Sequence, residues 1–466
     1  MPWLLLPALH PPVRLPLLWV PSMWSLMCWE LAQVQAHPPH LAREECLLFL
    51  HAGWKAEVAS LEDWDSQYCG ITVLRLLLRM EKEQSKEEKE AEGEDAEEKR
   101  GRSLISTLMD HNLERQAEHP DIWQYETEFM VDFIHNKLQL QERFQEEQVH
   151  RAAGIIMTNA TTLSLPAGFG RATAIYPVYS LMNNSCFPSA KTMQNPLDHS
   201  QEMVAVQAMV AGQEVTNQYV SSLLPTVRRR PLLRSKWHFD CLCERCKDPT
   251  ELGSHLGSLL CQGRRCGGEV VQRCSYLPPP GTQGARMWWE CVQCQASLSS
   301  CEVSAILDAA ETSIAERLAG ETGLERCERL VHTFSTVLHP NNWLLVGVKQ
   351  ELALLYPSPG SKAWQGLARP AKERKVQVCQ EVLEVLTKVE VVASGCHTRI
   401  LGELTTCRVM VAREDFQQGR MDRRALQGVI VRAKVAMLIA AQRADTIMGT
   451  GRGRGNKGGA TLNKPL

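Results

Sequence analysis

Residues 237–246 read WHFDCLCERC, and the cysteines of this stretch decide the fold prediction. Cys241, Cys243 and Cys246 follow one another as CxCxxC, which places three thiolates within reach of one tetrahedral ion about 2.3 Å away. A closed structural zinc site needs a fourth ligand. Cys186 is the natural candidate, because a loop between strands can reach a cysteine-rich segment that follows the last strand. The alternative is that these cysteines are buried, unpaired thiols.

A second group of cysteines follows at once. Cys261 and Cys266 enclose a short glycine-containing turn, and Cys291 and Cys294 form a CxxC pair after two tryptophans. Two pairs separated by a couple of dozen residues have the spacing of a zinc ribbon. Neither predicted site has an open position, so both zinc ions are expected to be structural. Two further cysteines could substitute as ligands or be ordinary small buried residues, namely Cys274 and Cys301.

The composition agrees with a globular chain in a reducing compartment. Seventeen cysteines among 466 residues are many, but they cluster in CxC and CxxC pairs, which favours metal ligation over a secreted disulfide framework. A hydrophobic content of 44% is ample for two or three packed domains. The formal net charge of -2 gives no overall attraction to nucleic acid or membrane.

Residues 1–40 are predicted to be a poorly ordered leader or an artefact of the gene model. They are apolar enough to suggest a signal peptide or a membrane helix, but prolines at 2, 7, 11, 12, 16 and 21 interrupt them. No uninterrupted apolar span of about 18 to 20 residues exists there. A secretory signal would also carry the zinc-like cysteines into an oxidising lumen, so we expect no membrane association.

The spacing of apolar residues divides residues 41–240 into a helical segment and a segment of short strands. Residues 41–150 have helical spacing and contain, at 81–102, a charged stretch interpreted as a solvated loop or a fraying helix extension. Residues 151–240 are rich in β-branched and aromatic residues, which predicts short strands. The predicted helical stripe is Ile71, Leu74, Leu77 and Leu78, and the predicted strand segments are 154–165, 171–182 and 202–220, the last with a turn at Ala211-Gly212.

Helices are predicted again after the cysteine-rich residues 241–300. Residues 301–446 contain successive apolar stripes joined by short loops, which is typical of an antiparallel helical array. The glycine-rich, basic residues 447–466 are predicted to be disordered. The predicted fold class is therefore α+β, with a small β-rich core, a helical insertion, a zinc-bound segment, a ribbon and a C-terminal antiparallel helical array.

The order of three motifs resembles one family. NNSCFPS at 183–189, GQEVTNQY at 212–219 and WHFDCLCERC are similar to the NHSCxPN, GEExxxxY and CxCxxC pieces of the SET and MYND lysine methyltransferases. The ribbon, with ELGSHLGSLLC before it and LHPNNWLL near residue 338, looks like the arthropod branch of that family. The resemblance spans roughly residues 40 to 440.

The resemblance implies a pseudoknot-like β fold in which S-adenosylmethionine and a target lysine meet through a narrow channel. The reaction is a direct methyl transfer from a sulfonium to a neutral amine, which needs alignment and a deprotonated lysine. In that scheme Asn183 and Asn184 contact the cofactor, and Tyr219 closes the lysine channel and orients the amine. The alternative for Tyr219 is a packed residue at a strand end.

In the terms of this family, residues 41–150 are the helical SET insertion and 151–240 the C-terminal half of the SET core. Residues 241–300 are then the post-SET zinc cluster with the ribbon. The chain departs from the family motifs at three positions, where Asn184 replaces a histidine, Ser189 an asparagine and Trp237 a tyrosine.

We also expect the N-terminal Gly-x-Gly strand of the SET domain and most of the MYND finger to be absent from this chain. The only arguable remnant of the finger is Cys28, His37, His40 and Cys46, of which His40 and Cys46 are interpreted as its last turn or as the start of a helix.

Three hypotheses for function follow. The first is an enzyme that methylates lysine in a histone or non-histone protein substrate. The second is a catalytically inactive SET-derived scaffold, whose helical C-terminal domain binds protein partners. A nucleic-acid partner is not favoured, because Arg264, Arg265 and Arg273 resemble ordinary surface charges without interleaved aromatic residues. The zinc thiolates and the family resemblance together suggest the cytoplasm and/or the nucleus.

Overall fold

The computed structural model describes residues 44–55, 61–91, 104–164, 171–194, 199–274, 287–316, 320–391 and 394–448. The predicted leader at 1–40 and nearly all of the predicted disordered tail lie outside these residues, as do Cys28, His37 and His40. Cys46 lies in the helix Glu44–His51, as one of the two interpretations of that position expects. Within the described residues, none of the helices has the length and apolar character that crossing a membrane requires.

The chain divides into two compact units. The first comprises Met1–Val220 and Arg228–Cys241, and the second comprises Ser221–Val227 and Leu242–Leu466. The predicted α+β class is confirmed, since helices, small antiparallel sheets and a C-terminal helical array are all present. The finer domain limits given above, at residues 150, 240, 300 and 446, stay predictions.

The first unit is mainly helical in its N-terminal part. Its described helices are Glu44–His51, Leu61–Ala91, Asn112–Glu118, Pro120–Tyr125, Glu146–Asn159 and Pro177–Ser180, with π-helical segments at Glu126–Val131 and Phe133–Lys137. The helix Thr226–Trp237 belongs to this unit from Arg228 onward. The predicted stripe that begins at Ile71 is buried throughout and packs in one core with Phe133 and Ile155. The 3.6-residue period of the sequence therefore located this core correctly.

The charged stretch that begins at residue 81 continues the helix Leu61–Ala91 as far as its last residue. Two of its charges are held by partners outside the helix, because Glu81 accepts hydrogen bonds from Arg143 and Lys82 pairs with Glu44 at 2.9 Å. The interpretation as a helix extension therefore holds up to residue 91. The remainder of the stretch, residues 92–102, lies outside the described residues.

Four short strands form two antiparallel hairpins in the first unit. β1, Thr161–Ser164, pairs with β2, Arg171–Ala174. β3, Ala190–Gln194, pairs with β4, Gln201–Ala205.

Three of the predicted strand segments need correction. Residues 154–159 end the helix Glu146–Asn159, because Ile155 and the apolar residues one turn before it are buried on one helical face. Residues 177–180 form a short helix with Pro177 in its first turn, where the missing N–H has no cost.

The partner of β4 was also predicted wrongly. A turn occurs at Gly212, where φ is +84°, but β4 pairs with β3 rather than with residues 213–220. The N–H of Asn217 donates to Asn183 O, and the carbonyl of Thr216 accepts from the N–H of Ala190. These backbone groups are therefore satisfied without a hairpin to β4.

The packing of the helix Glu146–Asn159 depends on Gly154, which leads to a stability prediction. A Cβ atom at Gly154 would lie 2.3 Å from Asp110 O and 2.4 Å from Nη1 of Arg115. We expect Gly154→Ala to lower the free energy of unfolding by about 1–3 kcal/mol, because a backbone carbonyl has to move. Denaturant titration measures this change.

The matched control is Gly347→Ala, another glycine inside a helix. A Cβ atom there would meet nothing within 4 Å. We expect this control to gain up to about 1 kcal/mol from better helix propensity. Equal effects of the two substitutions would show that crowding at Gly154 is not what matters.

The second unit begins with a small sheet and continues as helices. Its antiparallel sheet has the order β5-β6-β7-β8, with β5 at Leu259–Leu260, β6 at Glu269–Cys274, β7 at Met287–Cys291 and β8 at Ser297–Leu298. Its described helices are Glu244–Lys247, Ser300–Ala315, Gly323–Phe334, Trp343–Leu355, Lys362–Gln365, Arg369–Val389, Gly395–Gln417 and Arg423–Met448. Capping boxes begin two of them, because Ser299 pairs reciprocally with Glu302 and Thr322 with Glu325.

The helical array has its own apolar core. Cys327 and Leu330 of one helix pack with Cys379, Val382 and Leu386 of another, and all five are buried. These residues lie in 301–446, where the sequence predicts successive apolar stripes, so the helical pattern is confirmed for this part of the chain.

Candidate functional site

The first four-cysteine cluster consists of Cys186, Cys241, Cys243 and Cys246. Their sulfurs all lie within 4.8 Å of one another, and Sγ of Cys186 lies 4.0 Å from Sγ of Cys241. A tetrahedral zinc ion with sulfur about 2.3 Å away implies sulfur–sulfur distances of about 3.8 Å. The thiol donors and their spacing therefore fit a structural zinc ion. Cys186 lies where the sequence prediction placed the fourth ligand.

The surroundings of this cluster position its sulfurs. Cys243 is the residue before the short helix Glu244–Lys247, and its carbonyl accepts the N–H of Lys247. Nδ2 of Asn184 lies 3.4 Å from Sγ of Cys241 and donates to it. Such donors orient metal ligands and stabilise negative charge on sulfur. The Asn-Asn-Ser-Cys loop thus supplies both a cluster cysteine and a hydrogen bond to another.

The second cluster lies on the sheet of the second unit. Sγ of Cys261 is 3.6 Å from Sγ of Cys294, and Sγ of Cys266 is 3.6 Å from Sγ of Cys291. All four sulfurs lie within 4.8 Å of one another. A disulfide requires about 2.05 Å, so these are separate thiols with the spacing of a tetrathiolate zinc site.

Backbone N–H groups face the sulfurs of this second cluster. The N–H of Gly263 lies 3.4 Å from Sγ of Cys261, and that of Gln293 lies 3.4 Å from Sγ of Cys291. A Cβ atom at Gly268 would be only 2.9 Å from Sγ of Cys291, so a glycine is required for this close approach. The turns that contain Gly263 and Gln293 therefore direct backbone N–H groups at the cysteine sulfurs.

The thiol pKa values of the second cluster diverge. Burial raises the pKa of Cys291, but the N–H groups of Cys294 and Gln293 outweigh it and lower this pKa to about 7. The N–H of Gly263 lowers the pKa of Cys261, but burial and the neighbouring thiols outweigh it and raise it to about 12. Cys291 therefore loses its proton readily, and its negative charge disfavours deprotonation of the neighbouring thiols. The positive charge of a metal dication would offset this repulsion between thiolates.

The alternative ligands have a different position. Cys301 is exposed and lies outside both clusters. The side chain of Cys274 lies outside the described residues.

The three motif segments meet in the first unit, at what we call the motif junction, residues 183–185, 217–219 and 237–239. Asn184 and Asn217 form a parallel β-bridge. The N–H of Asn217 donates to Asn183 O at 2.9 Å, and the N–H of Ser185 donates to Asn217 O at 2.8 Å. Oδ1 of Asn184 accepts the N–H of Tyr219 at 3.0 Å. Segments far apart in the chain are thereby held side by side.

Tyr219 lies inside this junction. Its hydroxyl donates to Met182 O at 2.5 Å, and its ring centroid lies 4.9 Å from that of Trp237. Phe239 packs edge to face on the same ring at 6.4 Å. Burial, with a smaller contribution from Tyr179, raises the pKa of Tyr219 to about 12. The phenol is therefore neutral at physiological pH.

The predicted cofactor residues differ in accessibility. Asn183 is exposed, and its Nδ2 donates to Oε1 of Glu214 at 2.5 Å. The side chain of Asn184 is directed inward, with hydrogen bonds to Tyr219 N and Cys241 Sγ. The sequence prediction missed Glu214, although this residue lies in the quoted GQEVTNQY motif.

The departures from the family motifs have structural roles. Thr216 N donates to Oγ of Ser189 at 2.9 Å, which ties the motif loop to the segment before Tyr219. Nε1 of Trp237 donates to Thr158 O at 2.9 Å, and this bond fixes the indole ring next to Tyr219. Phe239 and the carbonyl of Met182 had no recognisable sequence signal.

The cysteine clusters and the motif junction agree with the comparisons to known proteins. The chain is a distant homologue of SET and MYND domain lysine methyltransferases over part of its length, which confirms the resemblance. It is 30% identical to the SET domain-containing protein SmydA-8, isoform B, of Drosophila melanogaster over 147 residues, 31% of each chain. It is 39% identical to the N-lysine methyltransferase SMYD2 of Homo sapiens over 75 residues, 16% of this chain and 17% of that one.

A third relative is the N-lysine methyltransferase SMYD2-B of Xenopus laevis. It is 30% identical over 134 residues, which cover 26% of this chain and 30% of the relative. The chain thus spans about a third or less of the length of these curated relatives. No family model matches the chain.

Proposed function

We propose that this chain is an S-adenosylmethionine-dependent protein lysine methyltransferase of the SET class, acting on a histone or non-histone protein. The observation that carries the proposal is the motif junction, which brings Asn183, Tyr219 and Trp237 into one region of the first unit. The relation to N-lysine methyltransferases adds support. Both cysteine clusters would hold structural zinc.

The residues of the junction suit distinct roles in this proposal. S-adenosylmethionine, when bound, supplies the methyl group on its sulfonium. Asn183 is exposed and donates only through Nδ2, to Glu214, so its Oδ1 can be offered to this cofactor, whereas both Nδ2 and Oδ1 of Asn184 are engaged in bracing the loop. The hydroxyl of Tyr219 is neutral and held by Met182 O, so its oxygen lone pairs can accept an N–H of the lysine amine.

Trp237 would form an apolar wall beside this amine. Its indole ring packs on Tyr219, and its only polar group, the N–H, is engaged by Thr158 O. The ring therefore offers an apolar surface and no hydroxyl. An apolar wall favours the neutral amine over the ammonium ion, and only the neutral amine is nucleophilic.

The test begins with isothermal titration of the zinc-loaded chain with S-adenosylmethionine and S-adenosylhomocysteine. We expect binding at micromolar strength. In a methyl-transfer assay on histones and on a protein extract, Tyr219→Phe is expected to lower the rate about 100-fold, because alignment of the amine is lost. Cofactor affinity should not change.

Tyr125→Phe is the matched control, because Tyr125 is exposed and remote in sequence from the motifs. This variant should transfer methyl groups at the rate of the unchanged protein. Absence of cofactor binding by folded, zinc-loaded protein would reject the enzyme proposal and leave the scaffold.

A second candidate is a SET-derived scaffold without catalysis. It is favoured by an exposed apolar stripe on the helix Arg423–Met448, where Val431, Val435 and Leu438 are 50%, 48% and 60% exposed. Their spacing of four and three residues places them on one helical face. Such a face suits a protein partner that covers it.

A further inference from the structure

A group of metal-binding side chains lies outside both cysteine clusters. Glu118 ends the helix Asn112–Glu118, His119 links it to the next helix, and His238 follows Trp237. One ligand atom from each lies within 4.8 Å of the other two. All three residues belong to the first unit.

Two neighbouring imidazole nitrogens in this region are buried without a hydrogen-bond partner. These atoms are Nε2 of His119 and Nδ1 of His111. The ring centroid of His111 lies 5.0 Å from that of His238. A buried polar atom without a hydrogen-bond partner is costly, so Nε2 of His119 calls for a ligand, whereas Nδ1 of His111 has the carboxylate of Glu114 at 3.8 Å.

The backbone at these histidines is also strained. The φ angles of His111 and His238 are +54° and +53°, in the left-handed region that residues with a Cβ atom seldom adopt. Such strain occurs at ligand-binding positions, where the surrounding structure holds it in place.

The distances around the carboxylate of Glu118 fit a metal ion in the place of the proton that it shares with His238. Nδ1 of His238 lies 3.1 Å from Oε2 of Glu118, and Nη2 of Arg234 donates to Oε1 at 3.1 Å. Tetrahedral zinc with nitrogen and oxygen ligands about 2.1 Å away needs ligand separations of about 3.4 Å. A zinc ion can therefore replace the shared proton at Oε2 while Arg234 keeps the carboxylate oriented.

A similar trio in the second unit, Glu269 with two histidines, shares the left-handed backbone, because the φ angle of His255 is +59°. It differs in its polar atoms, since no imidazole nitrogen of this trio is among the buried atoms without a hydrogen-bond partner in the described part of the chain. His255 is paired with Glu269, and Nδ1 of His339 accepts the N–H of Asn341 at 3.1 Å. The cations Lys349 and Lys388 act on the same imidazole of His339. This trio is therefore a hydrogen-bonded polar junction, in which Nδ1 of each histidine and Oε1 of Glu269 already have partners within the protein.

We infer that Glu118, His119 and His238 form a third zinc site. Two imidazoles and one carboxylate are a common zinc donor set, and three protein ligands leave one coordination position for water. The site would fix residue 238, and with it the neighbouring Trp237, relative to the helix Asn112–Glu118. It differs from both cysteine clusters in having no sulfur ligand.

Native mass spectrometry of the full chain, purified with a small excess of zinc, tests this inference by counting bound ions. We expect three zinc ions in the unchanged protein and two in His119→Gln. Glu118 is exposed, and glutamine has nearly the same shape as glutamate. We expect Glu118→Gln to weaken the affinity for the third zinc ion at least tenfold, as measured by competition with a chelator. His332→Gln, an exposed histidine on another helix, should retain three.

Two results would overturn the third site. One is a maximum of two ions in the unchanged protein with zinc in excess. The other is a third ion that persists with unchanged affinity in Glu118→Gln, since it would then be bound elsewhere. Because Glu118→Gln keeps a hydrogen-bonding side chain at the surface, this comparison remains decisive even if His119→Gln does not fold.

Discussion

Replacing Cys241 with serine is expected to remove one zinc ion and to lower the free energy of unfolding by more than about 4 kcal/mol. Cys241 is 2% exposed, and its sulfur lies 4.0 Å from that of Cys186. A serine hydroxyl is a poor zinc ligand at neutral pH, because it must lose a proton that a thiol loses far more easily. The remaining thiolates would then repel one another in a buried place.

Metal analysis and chemical denaturation measure the two parts of this effect. Cys301→Ser is the first control, because this exposed thiol lies outside both clusters, and it should change neither zinc content nor stability. Cys327→Ser is the second control. Cys327 is buried in the helical core, so its substitution should cost stability and leave the zinc content unchanged.

The zinc count separates a ligand from an ordinary buried thiol. A Cys241→Ser protein that retains every zinc ion would contradict the proposed ligand role, even if the protein were less stable. The second cluster can be examined in the same way with Cys291→Ser, whose loss of zinc should leave the first cluster loaded.

The sequence predicted the cysteine groups because chain connectivity limits where they can lie. Cys241, Cys243 and Cys246 are separated by so few residues that any compact backbone brings their sulfurs near one ion. Cys186 required a tertiary argument, which succeeded because the motif loop is tied to the segment that leads to the cluster.

Strand pairing was less predictable. The segment 202–220, with a turn at Ala211-Gly212, suggested one hairpin, yet β4 pairs with β3. Residues 213–220 are instead tied to the motif loop by contacts such as the hydrogen bond from Thr216 N to Ser189 Oγ, and local alternation of residues does not reveal such contacts. The strand assigned to residues 154–159 failed for a related reason, since burial of Ile155 on a helical face outweighs its β propensity.

No local sequence pattern indicated the proposed zinc site at Glu118, His119 and His238. Glu118 and His238 are 120 positions apart, and each histidine on its own resembles many surface or core histidines. Likewise, the sequence indicated a role for Tyr219 but not that its hydroxyl is bound by Met182 O. Both features depend on contacts made only when the chain has folded.

Removing the carboxylate of Glu126 is expected to destabilise the first unit by about 3–5 kcal/mol. The side chains of Arg115 and Glu126 are 5% and 1% exposed, and they form a direct ion pair. Nδ1 of His150 lies 3.2 Å from the other carboxylate oxygen, and Trp123 stacks on the imidazole at 3.8 Å. Glu126→Ala would leave the guanidinium of Arg115 buried without its counter-charge.

Thermal and denaturant unfolding of Glu126→Ala measure this cost, with Glu128→Ala as the control. Glu128 is exposed two positions further along the same helical segment, so its substitution should change stability by no more than about 0.5 kcal/mol. A small effect at Glu126 would mean that Arg115 reaches water or another carboxylate when its partner is removed.

A double variant, Arg115→Met with Glu126→Leu, distinguishes the two origins of the loss. If the cost of Glu126→Ala arises from a buried unpaired charge, removing both charges should restore most of the stability, because desolvation of the pair disappears as well. If the double variant is as unstable as the single one, the hydrogen bonds to Asn112 and His150 are the main contribution instead. The helix Asn112–Glu118 would then depend on a polar network rather than on one ion pair.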